Sequence, residues 1–400
     1  MRRILILVCL AVLVSTVALP GAGHAQPGAA IHDQKCEGGE AGGFPCKNVD
    51  LMSYLPPPDI GGGRIADVWG WADPDTGKEY ALLGSTTGLK FVDVTDPSQS
   101  KYLGQVVVKA EPVLIWMELE VYKDHVFIIC DLSPCGLQIF DLTRLRGVDV
   151  EQPWTPDRIF PIPFAHSIDL NPDTGFLYVN GMGTDPASAQ IILDVNDPKQ
   201  PVPVGTTHDD GYSHDSLCRN YYGPDKDYKG SEICFNFNED TITIYDMTDK
   251  MSPVRLSRVT YDEAAYVHSG TLTKDHKYLV STDEGDETGV DPGTLFVWDI
   301  SDLEEPVLVG PHRLNSPAID HNLFTLGKHI FHANYTEGLR VYTYKKIAQA
   351  KLKEVAYFDI VPMSDAADFD GAWAVYPFLP SGNVLVGGMG QGLAVVHPTL

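Results

Sequence analysis

The chain is 400 residues long, with 54 aspartates and glutamates against 29 lysines and arginines and a formal net charge of −25. A protein this acidic repels nucleic acid and anionic membrane surfaces at long range, which argues against both as partners. The charge either serves solubility outside the cell or draws in cations and basic ligands.

Residues 1–25 read as a secretory leader. Met1-Arg2-Arg3 is a positive start, Ile4 to Leu19 is apolar, and Gly23-His24-Ala25 is a small-residue cleavage end. The apolar stretch falls short of the roughly 20 residues a membrane helix needs, and no later segment approaches that length. A secreted or periplasmic protein without a membrane span is expected. Cleavage would remove Cys9 and leave Cys36, Cys46, Cys130, Cys135, Cys218 and Cys234, an even set suited to an oxidising compartment. Their spacing suggests the local pairs Cys36–Cys46, Cys130–Cys135 and Cys218–Cys234. Close CxxC pairs do not recur, which argues against a structural zinc cage. Residues 26–47 then form a disulfide-clipped N-terminal segment, and 48–400 carry a repeat.

That repeat overrides the two or three domains that length alone would suggest. It runs GLKFVDVTDP from Gly88, GLQIFDLTRL from Gly136, IILDVNDP from Ile191, ITIYDMTD from Ile242 and LFVWDISD from Leu295. Its aspartates, Asp93, Asp141, Asp194, Asp246 and Asp299, are 48, 53, 52 and 53 residues apart. Two further copies, from Gly338 and Gly392, keep the strand and lose the aspartate. A period of about 50 residues, with two β-rich runs before each marked strand and one after, reads as four-stranded propeller blades. Frequent proline and glycine leave no room for helical periodicity. The fold expected is all-β, a seven-bladed β-propeller. Its seventh unit stops at Leu400 after three strands, and Asn48 to Leu55 can supply the fourth, which would hide an exposed strand edge. The repeated aspartate is read as a turn cap.

In four consecutive units the start of the first strand carries a histidine: His166, His214, His268 and His321, at intervals of 48, 54 and 53 residues. Other units hold Ala66, Met117 and Ala374 there. Equivalent positions converge on the propeller axis, so these imidazoles should form an arc at the mouth of the central channel. Imidazole is a common ligand for divalent metals and titrates near neutral pH. The arc is therefore a candidate site for manganese, zinc or calcium; alternatively, the rings only line a wet channel. Asp67, Glu118, Asp215 and Asn322 sit at or beside the same strand position and are candidate ligand-binding residues, with Asn334 from a nearby loop. Loops on the same face add Asp185, Glu239-Asp240, Asp283-Glu284, Asp286-Glu287 and Asn334-Tyr335. These acids would complete a metal shell, orient the rings or simply form a solvated rim. Trp69, Trp71, Trp116 and Trp373 lie near the channel starts, for packing between blades or for stacking on a sugar. The sequence contains no GxSxG elbow, no phosphate-cradling glycine loop and no HExxH helix.

CEGGEAGGFPCKNVDLMSYLP from Cys36, GLKFVDVTDP from Gly88, HDSLCRNYYGPD from His214, HSGTLTKDHKYLVSTDE from His268 and FDGAWAVYPFLPSG from Phe369 carry a resemblance over nearly the whole mature chain. They resemble the choice-of-anchor B family of exported proteins with LVIVD repeats. The resemblance implies a propeller at the cell surface or secreted, and no particular reaction. Many relatives end in an anchoring tail, which is not seen after Leu400, and Glu118 stands where an aspartate is expected.

Two functions compete. The first is an extracellular binding module for a small ligand, glycan or protein. The second is a divalent-metal-dependent lyase or hydrolase acting on a polysaccharide, with Tyr335 or His268 as candidate catalytic base.

Overall fold

The computed structural model describes residues 28–108, 116–131, 134–162, 165–182, 190–207, 211–262, 264–286 and 292–400. The expected leader at 1–25 and the loop acids Asp185 and Glu287 lie outside the described residues.

Seven small sheets form the ring of a seven-bladed β-propeller. The innermost strands of blades 1 to 7 are Ile65–Ala72, Met117–Tyr122, Ser167–Asn171, Asp215–Asn220, Val267–Leu272, Leu323–Leu326 and Ala372–Tyr376. Helical structure among the described residues is confined to short 3-10 turns such as Pro57–Ile60. The second and third strands of each blade are covered on both faces by neighbouring blades, so they read as continuous apolar runs rather than alternating ones. In blade 2, Phe127, Ile128 and Ile129 are all fully buried. Phe127 and Ile129 pack against Ile168, Leu170 and Leu177 of blade 3.

The five repeated aspartates make one shared turn. Asp93, Asp141, Asp194, Asp246 and Asp299 each accept the backbone N–H two residues on, from Thr95, Thr143, Asn196, Thr248 and Ser301. This is the local side-chain bond that makes aspartate a turn former.

The ring closes as the sequence suggests. Val49–Leu55 runs antiparallel to Gly392–Pro398, with Leu55 opposite Leu393 and Val49 opposite Pro398. Asn48 stays outside the strand, in a left-handed conformation with φ 53°. The preceding segment is woven into the same seam. Ile31–Gln34 pairs with the outer edge of the closing strand. Phe44–Lys47 pairs with Lys351–Phe358 of blade 6, placing Cys46 opposite Phe358. Phe44 is fully buried and lies 5.0 Å from the Tyr54 ring and 5.3 Å from that of Phe358, which joins blades 6 and 7.

All three expected disulfides are present: Cys36–Cys46, Cys130–Cys135 and Cys218–Cys234. Cys218 and Cys234 face each other across adjacent strands of blade 4. No helix among the described residues is long and apolar enough to cross a membrane.

Candidate functional site

The four histidines stand at one end of the central channel, where the inner strands begin. Their ring centroids follow one another at 4.1, 4.4 and 4.3 Å from His166 through His214 and His268 to His321, and the Trp373 ring lies 5.0 Å beyond. Serines tie two of these inner strands to the next blade. Ser167 Oγ donates to the carbonyl of His214, and Ser269 Oγ donates to that of His321. His214, His268 and His321 are 3 to 4% exposed.

The other ring contacts decide which nitrogen is offered to the site. His321 Nδ1 lies 2.6 Å from the Trp373 carbonyl, His214 Nδ1 3.3 Å from the His268 carbonyl, and His166 Nδ1 2.9 Å from the Asp131 carboxylate. A ring nitrogen facing a carbonyl or carboxylate oxygen must carry the hydrogen, so in the neutral ring Nε2 holds the lone pair. His268 Nδ1 is buried without a hydrogen-bond partner among the described residues. Burial beside like imidazoles holds His214 and His268 well below the usual histidine range, and burial pushes His321 down to about 3.

Glu284 completes the cluster. It follows the second strand of blade 5, Tyr278–Asp283, in a loop that meets blade 6, where the Asp320 carboxylate accepts the N–H groups of Asp283 and Thr294. Glu284 Oε2 lies 3.6 Å from His268 Nε2 and Oε1 lies 3.4 Å from His321 Nε2. His214, His268 and Glu284 each place one donor atom within 4.8 Å of the others. Tyr335 donates its hydroxyl to Glu284 at 2.8 Å and packs 4.8 Å from the His321 ring. It is 1% exposed.

The other acids in these loops go elsewhere. Asp283 accepts from the Tyr261 hydroxyl and from the N–H groups of Ala265 and Tyr266. Glu239 bonds Tyr266, and Asp240 is exposed. The sequence offered Glu284 as one of several loop acids, and position alone singles it out, between His268 and His321. Asp131, which supports His166, was missed; its signal is that it follows the second strand of blade 2, next to the His166 position.

Glu118, Asp215 and Asn322 line a cavity of about 20 Å³ together with the four histidines, Trp116 and Trp373, room for about one water or ion. Asn334 lies in a tight turn of blade 6, donating to Glu337. Trp71 packs on Tyr80 at 5.2 Å and donates to Asp124.

Asp67 ties blade 1 to blade 2, accepting the N–H groups of Val68 and Leu119. Burial pushes its carboxyl up to about 7 against those two donors. The unfolded chain loses this proton near the ordinary carboxylate value and the folded chain holds it to about 7. Folding stability from this group therefore falls as pH rises through that range. Relative to Asp67→Asn, which has no proton to lose, the natural protein should lose on the order of 1 kcal/mol between about pH 6 and pH 8. Urea midpoints of both proteins at each pH read this directly, and a constant difference would show that the Asp67 carboxyl is not raised.

No family model matches the chain, and the search of curated proteins found no match.

Proposed function

We propose that the protein is an exported binding module whose centre is a divalent metal held by Nε2 of His214 and His268 and by the Glu284 carboxylate, with His321 as a further ligand. One observation carries this reading: the lone-pair nitrogen of His321 faces a carboxylate oxygen at 3.4 Å while its other nitrogen is bonded to the Trp373 carbonyl. Two acceptors so placed repel unless a proton or a metal cation lies between them. The separation also suits one, because ligand atoms at about 2.0–2.1 Å from a tetrahedral ion stand about 3.3–3.4 Å apart. Tyr335 then orients the carboxylate, and the carbonyls facing Nδ1 orient the rings, as outer partners of a metal site do. A nitrogen-rich donor set favours zinc or manganese over calcium, which takes oxygen ligands. The leader at 1–25 and the even cysteine set support export, and the propeller fold commonly serves binding. The buried Tyr335 hydroxyl, already donated to Glu284, favours a supporting role over that of a catalytic base, so binding ranks above a lyase or hydrolase.

Glu284→Gln keeps the shape of the side chain and removes its charge. Zinc affinity, measured by competition with a chromophoric chelator, should fall by about 100-fold. Affinity equal to that of the natural protein would remove Glu284 from the site.

A further inference from the structure

The other end of the central channel opens into a cavity of about 860 Å³, which shares Glu118, Asp215 and Asn322 with the small cavity at the histidine arc but is not lined by the histidines themselves. We propose that this funnel binds a small organic ammonium ion with an apolar body.

One wall is aromatic. Trp69 lies 6.1 Å from Phe324 and 5.2 Å from Tyr376, and Phe378 lies 6.0 Å from Phe324 and 5.4 Å from Tyr376. All four rings line the cavity, and Phe378 is 39% exposed. Aromatic faces attract cations, quaternary ammonium above all.

The opposing wall is acidic. Strand alternation turns Glu118 and Glu120 to the same side, and both line the cavity with Asp169 and Asp215. Arg219 bonds Asp169, with Nη1 at 2.9 and 3.2 Å from its two oxygens, and its charge also acts on Glu120. Asp215 accepts from the Ser216 N–H and from Ser167 Oγ. Glu120 is only 6% exposed and accepts from its neighbour's N–H, Val121. Burial first, and then the neighbouring acids, push Glu118 and Glu120 well above the usual carboxylate range, so a cation seated in the cavity would favour their charged forms. The remaining basic groups at the funnel, Lys274 and His276, come from the outer turn after the blade 5 inner strand. The volume suits an organic molecule rather than a bare ion.

The test is calorimetry on the full chain with choline, benzyltrimethylammonium and putrescine, and with 3,3-dimethyl-1-butanol as the neutral counterpart of choline. At least one ammonium compound should bind, with affinity lowered about tenfold or more by Glu120→Gln, by Phe378→Ala and by loss of the positive charge. Phe378 is part-exposed, so its removal leaves the fold intact. Binding should survive in the His214→Ala, His268→Ala variant, which separates the funnel from the metal centre. No binding by any ammonium compound, equal binding of the neutral counterpart, or binding of calcium or a neutral oligosaccharide alone would overturn the proposal.

Discussion

Replacing His214 and His268 together by alanine should abolish metal binding while leaving the propeller folded. Elemental analysis of the natural protein, dialysed against zinc or manganese, should find about one metal per chain, and the double variant should retain essentially none. The expectation follows from the cluster, since these two imidazoles supply two of the three donor atoms lying within 4.8 Å of one another. Losing both leaves Glu284 and His321 alone, too few ligands for a protein site. The fold should survive because the ring is held by strand pairing and by cores between blades, to which the histidines add little. Near-ultraviolet circular dichroism checks this. Equal metal content in both proteins would place the metal elsewhere; no metal in either would leave the arc as a wet channel lining.

Deleting residues 28–55 should abolish folding altogether. The deletion removes the closing strand with its buried Val49, Leu51, Tyr54 and Leu55, at about 1.5–3 kcal/mol each. The sum, about 6–12 kcal/mol, matches the whole stability of a typical domain, about 5–15 kcal/mol. It also removes Phe44, which joins blades 6 and 7, and bares the edge of Gly392–Pro398 for pairing with other chains. The truncated chain should be found in aggregates and show no cooperative thermal transition. A sharp melt like that of the full chain would mean that the ring closes without its N-terminal strand.

The propeller could be read from sequence because its turns repeat. In five blades an aspartate ends the third strand and serves the same N–H two residues on, and a bond repeated in space is a letter repeated in sequence. The convergence of His166, His214, His268 and His321 followed from the same logic, since equal blade positions meet at the axis. Glu284 did not stand out, because Asp283, Glu284 and Asp286 read alike in one acidic loop. Only the geometry separates Asp283, bound to Tyr261 and two backbone N–H groups, from Glu284, turned to the rings. The aromatic wall of the funnel went unread because its position repeats while its residue type does not: Trp69 and Phe324 stand three residues after Ala66 and His321, where blades 2 and 3 carry Glu120 and Asp169. The clasp of Phe44–Lys47 on blade 6 was hidden for another reason: Pro45 and the short strands beside it carry almost no strand pattern.

The metal centre is tested most directly by diffraction from crystals of the zinc-loaded protein, collected on both sides of the zinc absorption edge. An anomalous peak should lie about 2.0–2.2 Å from Nε2 of His214 and His268 and from a Glu284 oxygen. A peak away from these atoms, or none in a fully loaded crystal, would contradict it.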